Sequence, residues 1–239
     1  MLEQRAELVI PGDTAATLDF CVIHFLKIAE EAIRTKGHFH VALSGGSTPK
    51  AIYERLAKHA ADLDWKKVHL FWSDERSVPP AHPESNYRMA MESFKKLPIP
   101  AEQIHRMVAE DNIVDNAHAY DALIQKHPLD LVMLGIGDDG HTASLFPHTN
   151  ALHAHHELVV ANHVPQKNTW RMTFTYPCIN GASHIVVYAL GEGKKEILAK
   201  VFLEPPGTYP VQAVGTLAHK ALWIADTAAA SLVEKYRSF

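Results

Sequence analysis

The stretch LDLVML, residues 129–134, decides the fold class because it is almost uniformly apolar over the length of one strand. A strand exposed on one side alternates apolar and polar residues, whereas a strand covered on both faces does not. The stretch therefore predicts a buried strand of a parallel sheet with helices on both faces. The loop that follows it, GIGDDGHTASLFP at 135–147, would lie at the strand's carboxyl end, where ligands of such sheets bind.

Other β-rich runs alternate with amphipathic stretches along the chain. Strands are expected at ELVI (7–10), HVAL (40–43), VHLFW (68–72), LDLVML, ELVVA (157–161), RMTFT (171–175), IVVYAL (185–190) and ALWIAD (221–226), and helices at 17–33, 51–60, 116–127, 193–202 and 227–236. This alternation predicts an α/β fold with a mainly parallel twisted sheet. No second domain is indicated, so a single domain is expected over residues 1–239.

Composition limits the partners that the chain can have. With a net charge of −4, a pI near 6.5 and scattered Lys and Arg, there is no basic field for nucleic acid, and a small ligand is expected. No apolar run reaches the roughly 18 residues of a membrane span. The N-terminus MLEQRAELVIPG lacks the order of a signal peptide, so a cytoplasmic protein without membrane contact is expected.

Histidines and cysteines give no metal or disulfide pattern. Seventeen histidines are present, but the cluster HAHH (His153, His155, His156) matches no zinc spacing, so no metal site is expected. Cys21 and Cys178 are too few for a disulfide framework and are expected to be reduced packing residues. The oligomeric state stays open between a monomer and a small homo-oligomer.

The loop after HVAL, SGGSTPKAIYERLA at 44–57, combines glycines with hydroxyls and opens a predicted helix. Its first residues are Ser44, Gly45, Gly46, Ser47 and Thr48. The two glycines allow close backbone approach, and Thr48 and Pro49 resemble a helix N-cap and a first helical position. Backbone N–H groups at a helix N-terminus bind phosphate, so the loop predicts either a phosphate cradle or a tight turn that binds nothing.

The loop after VHLFW, SDERSVPPAHPESNYRMA at 73–90, places acids beside a cation. Asp74 and Glu75 stand where a strand should end, next to Arg76. The three side chains indicate either a pocket with acceptors and a cation or ion pairs on a solvated surface.

The loop at 135–147 contains the pattern GxGxxG, which is typical of dinucleotide sites when a long helix follows. Pro147 ends such a helix early, and Glu157 stands at the wrong end of the next strand to bind a ribose. The pattern is therefore weak evidence for a dinucleotide site.

His141 is the informative residue of this loop, with Asp139 close enough in sequence to orient its ring. Histidine has a reference pKa of about 6.5 and can act as a base, although a capping or surface histidine is equally compatible with the pattern. No GxSxG elbow and no cysteine in a suggestive loop supply a covalent nucleophile. Any hydrolysis would use direct attack by water.

Taken together, the loops SGGSTP, SDERSVPPAHPESNY and GIGDDGHTASLFP, with RMTFT, GEGK (191–194) and LWIAD (222–226), resemble the 6-phosphogluconolactonase family from residue 41 onward. The resemblance implies a Rossmann-like fold shared with glucosamine-6-phosphate deaminases and sugar-phosphate isomerases. It also implies hydrolysis of 6-phospho-D-glucono-1,5-lactone to 6-phospho-D-gluconate in the oxidative pentose phosphate pathway, with no metal or organic cofactor.

The resemblance also assigns roles to residues of this chain. It makes His141 the general base, places Asp74 among the catalytic pocket residues with Arg76 beside it, and makes Arg171 and the loop 44–48 the phosphate grip. Lys194 falls where deaminase relatives use a phosphate-binding lysine. Asp139 is expected to orient His141, and Asp138 to be simply solvated. The chain departs from the family pattern at VPQKNTWR, residues 164–171, where many members have a proline-rich stretch.

Two rival functions remain at this stage. A sugar-phosphate isomerase or deaminase would carry an acid a few residues after the histidine, but the corresponding positions 144–147 read SLFP. A non-catalytic sugar-phosphate sensor attached to a transcription regulator would need a DNA-reading segment, and residues 1–40 show no helix-turn-helix signal. Both observations favour the lactonase.

Overall fold

A computed structural model of the chain describes residues 2–233. Six strands form a sheet in the order β1 (Ala6–Val9), β9 (Ala221–Ala225), β8 (His184–Ala189), β5 (Leu131–Gly135), β2 (Phe39–Leu43) and β3 (Val68–Trp72). Every pairing in this sheet is parallel. The predicted α/β fold with a mainly parallel sheet is confirmed.

Within residues 2–233, six α-helices accompany the strands: α1 (Thr14–Lys36), α2 (Ser47–Leu56), α3 (Asn86–Phe94), α4 (Ile113–Lys126), α5 (Tyr176–Asn180) and α6 (Lys195–Leu203). The long α1 begins where the Asp13 side chain accepts a hydrogen bond from the Ala16 N–H at 2.9 Å. It ends at Gly37, whose φ of 82° lies in the left-handed region that favours glycine. No helix within residues 2–233 is long and apolar enough to cross a membrane.

Burial explains why the central strands are apolar throughout. All five residues of β2 are buried, which requires cover on both faces of the sheet. Phe39, Leu131 and Trp223, from three different strands, belong to one continuous hydrophobic cluster. This shared core is what a single domain would have. The single domain over residues 1–239 stays a prediction.

A second sheet, which the sequence did not indicate, packs beside the first. It contains β4 (Asp74–Arg76), β7 (Thr169–Phe174) and β6 (Val159–Val164), all antiparallel. The predicted strands 157–161 and 171–175 therefore do not join the parallel sheet. Only residues 165–168 connect β6 to β7, and a parallel crossover needs a dozen residues or more, so the two strands must form a hairpin.

Ser73 joins the two sheets between β3 and β4. Its N–H donates to the Leu43 carbonyl at 2.8 Å, and its carbonyl accepts from the Phe174 N–H at 2.8 Å. The chain thus leaves one sheet and enters the other within one residue. β2 and β5 are neighbours from which the chain proceeds in opposite directions across the sheet, so the crevice at their carboxyl ends is the expected ligand position.

Several predicted details were wrong or incomplete. Helix α3 was not predicted, and α2 begins at Ser47 with Gly46 as its N-cap, so Thr48 is not the cap. The predicted helix 227–236 is reduced to a 3-10 turn at Ala229–Leu232, and residues 234–236 lie outside the described residues. Cys21 and Cys178 are free and buried, as predicted.

Candidate active site

A pocket of about 420 Å³ opens at the carboxyl ends of β2 and β5. It brings together ten of the predicted site residues: Ser44, Gly45, Gly46, Ser47, Thr48, Asp74, Arg76, His141, Arg171 and Lys194. The eleventh, Asp139, does not line the pocket but hydrogen-bonds to His141. Predicted residues from segments that are distant along the chain therefore line one pocket.

The loop after β2 presents backbone groups and the N-terminus of α2 to the pocket. Gly46 has a φ of 104°, a conformation that favours glycine. The Ser44 hydroxyl donates to the Met133 carbonyl at 2.5 Å and lies 2.9 Å from the Ser73 hydroxyl. Ser44 thus fixes the loop to the sheet, and residues 45–48 remain to meet an anion.

Asn86 supports this loop and was missed by the sequence analysis. A Cβ built on Gly45 would lie 2.0 Å from Asn86 Oδ1, so only glycine fits there. The Asn86 amide also donates to Asp74, at 2.9 Å to the carbonyl and 3.1 Å to Oδ1. The signal that could have identified Asn86 is its position after Ser85, whose hydroxyl caps α3.

Asp74 is buried at the pocket wall, with 6% of its surface exposed. Its Oδ2 accepts a hydrogen bond from the Ser144 hydroxyl at 2.6 Å, and its Oδ1 accepts from Asn86. Both carboxylate oxygens are therefore engaged by protein donors. This arrangement fits a residue that orders the pocket better than one that removes a proton from water.

Glu75 is committed to helix α3 rather than to the pocket. Its carboxylate accepts from the backbone N–H groups of Asn86 at 2.9 Å and Tyr87 at 2.8 Å, the first two residues of the helix. Burial raises the pKa of Glu75, and these hydrogen bonds oppose the rise. The side chain serves as a buried helix cap.

Arg76 and Arg171 supply the cationic wall. They occupy paired positions of β4 and β7, and the Nε atom of each is buried without a hydrogen-bond partner in the described part of the chain. Burial lowers the pKa of Arg171, Asp74 raises it, and the neighbouring Arg76 lowers it again. Two close guanidinium groups with unpaired donors are suited to a dianion such as phosphate.

His141 is oriented by Asp139. Its Nδ1 lies 2.5 Å from Asp139 Oδ1, and its backbone N–H donates to the same oxygen at 3.1 Å. A carboxylate accepts only, so the neutral ring carries its proton on Nδ1 and leaves the Nε2 lone pair available. Burial alone would raise the pKa of Asp139, but the hydrogen bonds from His141 outweigh it and the pKa is lowered.

The glycines of the loop serve His141 and the local turn. A Cβ on Gly137 would lie 2.1 Å from the His141 ring, which stacks on Phe146 with 3.9 Å between centroids. Gly140 has a φ of 74°, and a Cβ there would lie 2.6 Å from the Tyr209 ring. Two of the three glycines of the GxGxxG pattern, Gly137 and Gly140, therefore have a structural explanation that needs no dinucleotide.

Lys194 reaches the pocket from the turn after β8. Its Nζ donates to Asp138 Oδ1 at 2.7 Å, so Asp138 is ion-paired and not simply solvated, although 86% of its side chain is exposed. The turn is held by Asp226, a buried carboxylate that accepts from the Gly191 N–H at 3.0 Å. The structure thus explains why LWIAD and GEGK occur together.

Lys167 also lines the pocket, together with Glu84, and neither was predicted. Lys167 lies in the departing segment VPQKNTWR, and its sequence position before Arg171 was the available signal. As for metals, no group of three or more His, Cys, Asp or Glu side chains in residues 2–233 is arranged to hold an ion.

Comparisons with known proteins find relatives over most of the chain. Residues 12–223 match the family described as glucosamine-6-phosphate isomerases/6-phosphogluconolactonase. A 6-phosphogluconolactonase of Chlamydia trachomatis serovar D is 41% identical over 230 residues, covering 93% of this chain and 89% of the relative. One from Nostoc sp. is 40% identical over 237 residues, covering 92% and 95%. The crystal structure of 6-phosphogluconolactonase from Thermotoga maritima superposes with a TM-score of 0.81 at 27% identity, covering 93% and 100%.

Proposed function

The chain belongs to the glucosamine-6-phosphate isomerase/6-phosphogluconolactonase family, and from that membership we propose that it hydrolyses 6-phospho-D-glucono-1,5-lactone to 6-phospho-D-gluconate. One observation carries the proposal: a histidine base oriented by a carboxylate shares a pocket with two arginines that have unpaired donors. The same side chains match a substrate that has a reactive carbonyl at one end and a dianion at the other.

The reaction proceeds by general-base-assisted attack of water. His141 Nε2 accepts a proton from water as its oxygen bonds to C1 of the lactone, which gives a tetrahedral oxyanion. The oxyanion collapses, the bond from C1 to the ring oxygen breaks, and the imidazolium returns its proton to that oxygen. Asp139 holds the ring and stabilises the imidazolium through Nδ1. A lactone is an activated ester, so no covalent nucleophile is required.

The phosphate supplies binding energy remote from C1. Residues 45–48 with the N-terminus of α2 form one side of the phosphate position, and Arg76 and Arg171 form the other. Binding energy gained there fixes the carbonyl against the water, which lowers the entropy cost of attack. Burial lowers the pKa of Arg171, and the negative charge of the buried Asp74 opposes that decrease.

The proposed chemistry needs neither a metal ion nor an organic cofactor, since water attack on a lactone involves no redox or electron-sink step. We place it in the oxidative pentose phosphate pathway in the cytoplasm. Incubation with EDTA should leave the hydrolysis rate unchanged. Inactivation by EDTA that a divalent cation reverses would contradict this and direct attention to His153, His155 and His156.

One assay tests the proposal. The lactone is generated in situ, and acid release by the protein is followed above a no-enzyme blank, because the lactone also hydrolyses spontaneously. Glucosamine 6-phosphate is offered in parallel with ammonia detection. Acid release without ammonia supports the lactonase, ammonia release identifies the deaminase, and binding without either reaction identifies a sugar-phosphate sensor.

The structure of residues 144–147 favours the first outcome. Ser144 is fully buried with its hydroxyl bonded to Asp74, Leu145 is fully buried, and Phe146 stacks on His141. None of these side chains can exchange a proton with a sugar ring in the way that a carboxylate does.

A further inference from the structure

The turn between β6 and β7 carries a cation that the proposed mechanism does not use. Lys167 lies at this turn, is exposed, and lines the pocket. Its side chain forms no hydrogen bond or ion pair with any residue in the described range 2–233. An exposed lysine over a pocket with no carboxylate partner leaves its ammonium charge available to a ligand.

The turn is held in place and not left free. Pro165–Lys167 form a short 3-10 helix that ends at Asn168, which has a φ of 47°. The Asn168 N–H donates a hydrogen bond to the Pro165 carbonyl at 3.0 Å. The Gln166 amide donates to the Pro147 carbonyl at 2.7 Å. Pro147 follows Phe146, which stacks on His141. Gln166 therefore anchors the turn to the same loop that carries the proposed base.

Two other cations of the pocket already have partners within the protein. Lys194 is paired with Asp138, and Arg76 donates to the Glu84 carbonyl at 2.5 Å. Arg171 projects from β7, four residues after Lys167 along the same hairpin. The hairpin therefore offers a guanidinium from its strand and an exposed ammonium from its turn to one anion.

We propose that Lys167 is a specificity-determining residue that selects the phosphorylated lactone over the unphosphorylated one. The proposal rests on the proposed function and extends it to the segment where the chain departs from the family pattern. Lys167 acts as a point charge that attracts the phosphate dianion at the pocket mouth, and Gln166 is the positioning residue for the turn. A charge at the rim of a binding site changes association and its salt dependence more than the chemical step.

The test compares Lys167→Gln, Lys167→Arg and the exposed control Lys126→Gln on 6-phosphogluconolactone and on glucono-δ-lactone. Lys167→Gln should lower kcat/KM for the phosphorylated substrate about five- to tenfold through KM, with little change for glucono-δ-lactone. Its kcat/KM should also fall less steeply with added salt than that of the wild type. Lys167→Arg should retain most of the activity, and the control should behave as the wild type.

Gln166→Ala tests the anchor of the turn. It should raise KM for the phosphorylated lactone in the same direction as Lys167→Gln, and the double variant should be no worse than Lys167→Gln alone. Additive losses would show that Gln166 acts through something other than Lys167.

The two proposals fail in different ways. Wild-type protein that does not hydrolyse the lactone refutes the proposed function, and the Lys167 proposal is then read from calorimetric titration with 6-phosphogluconate against gluconate. Weaker binding of 6-phosphogluconate alone by Lys167→Gln supports the proposal. Equal effects on both ligands, equal losses of kcat on both lactones, or unchanged kinetics and binding would overturn it.

Discussion

Arg76 of β4 and Arg171 of β7 lie directly opposite each other in the antiparallel sheet, so two like charges are held side by side at the pocket. Like charges at such positions destabilise a sheet, by an amount comparable to the roughly 0.2 to 1 kcal/mol that opposite charges contribute. The fold keeps this repulsion next to the buried Asp74. A bound phosphate dianion would relieve it, which links substrate binding to the stability of this sheet.

The loss of activity caused by removing Arg171 should therefore differ between phosphorylated and unphosphorylated substrates. Arg171→Ala should lower kcat/KM for the phosphorylated lactone by about 30- to 150-fold, because one charge-assisted contact is worth about 2 to 3 kcal/mol. The loss on glucono-δ-lactone should be small. Arg34→Ala, an exposed arginine of α1 paired with Glu31, is the matched control. Equal losses on both lactones would show that Arg171 does not hold the phosphate.

Replacement of the base should reduce the chemical step. His141→Asn keeps a similar size and some hydrogen bonding but cannot accept the proton, so the rate should fall by about 10² to 10⁴ with little change in ligand affinity. The measurement is steady-state hydrolysis corrected for the no-enzyme blank. A variant within about threefold of wild type would exclude His141 as the base, since that loss is far below the general-base range. Asp74 would then be tested next, because Glu75 caps α3.

Gly137 offers a test of ring placement that leaves His141 itself intact. In Gly137→Ala the new Cβ would meet the His141 ring at 2.1 Å, so the ring must shift from its position beside Asp139 and Phe146. A misplacement of about 1 Å can cost about a hundredfold in rate. Gly193→Ala is the control, since a Cβ there meets nothing within 4 Å. Hydrolysis by a folded Gly137→Ala protein at the control's rate would contradict the proposed geometry.

Two histidines, His40 of β2 and His105 beside β3, should make the fold sensitive to acid. Burial, the largest cause for both, lowers the pKa of His40 to about 4 and that of His105 to about 4; neighbouring His69 adds to each decrease. The unfolded chain takes up these protons near about pH 6.5. Stability is therefore complete above that pH and decreases progressively toward pH 4.

Urea unfolding at pH 7 and pH 5 measures this effect. The free energy of unfolding should be lower at pH 5 for the wild type. His105→Gln should lose less between the two values, whereas His118→Gln, on the exposed side of α4, should lose as much as the wild type. An identical loss in all three proteins would exclude His105 as a source of the acid sensitivity.

Strong local patterns account for what the sequence predicted. The apolar strands LDLVML and HVAL are buried on both faces, so their composition alone indicated the parallel sheet, and the loops that follow them lead into the pocket. The second sheet depends on a hairpin between residues 164 and 169 and on the three residues of β4, which are too short to show periodicity. Its position is set by tertiary pairing.

In the site too, contacts between residues close in sequence could be predicted, and contacts between distant residues could not. His141 and Asp139 are two residues apart, so their hydrogen bond could be expected from the sequence. The bond between Ser144 and Asp74 joins residues 70 positions apart, and the contact of Gly45 with Asn86 depends on how α3 docks. Side chains that organise other side chains carry no motif of their own, which is why they were missed.

Ser73 fixes the distance between the two sides of the pocket. Its N–H donates to the Leu43 carbonyl, just before the loop at 44–48, and its carbonyl accepts from the Phe174 N–H, on the strand that carries Arg171. The two sides of the proposed phosphate position are thus held by one residue. The carbonyl of a phospholactone one carbon shorter would not reach His141. A displacement of the carbonyl by about 1 Å can lower the rate about a hundredfold. If the proposed function holds, discrimination by substrate length would then depend on the backbone as well as on side chains such as Arg171.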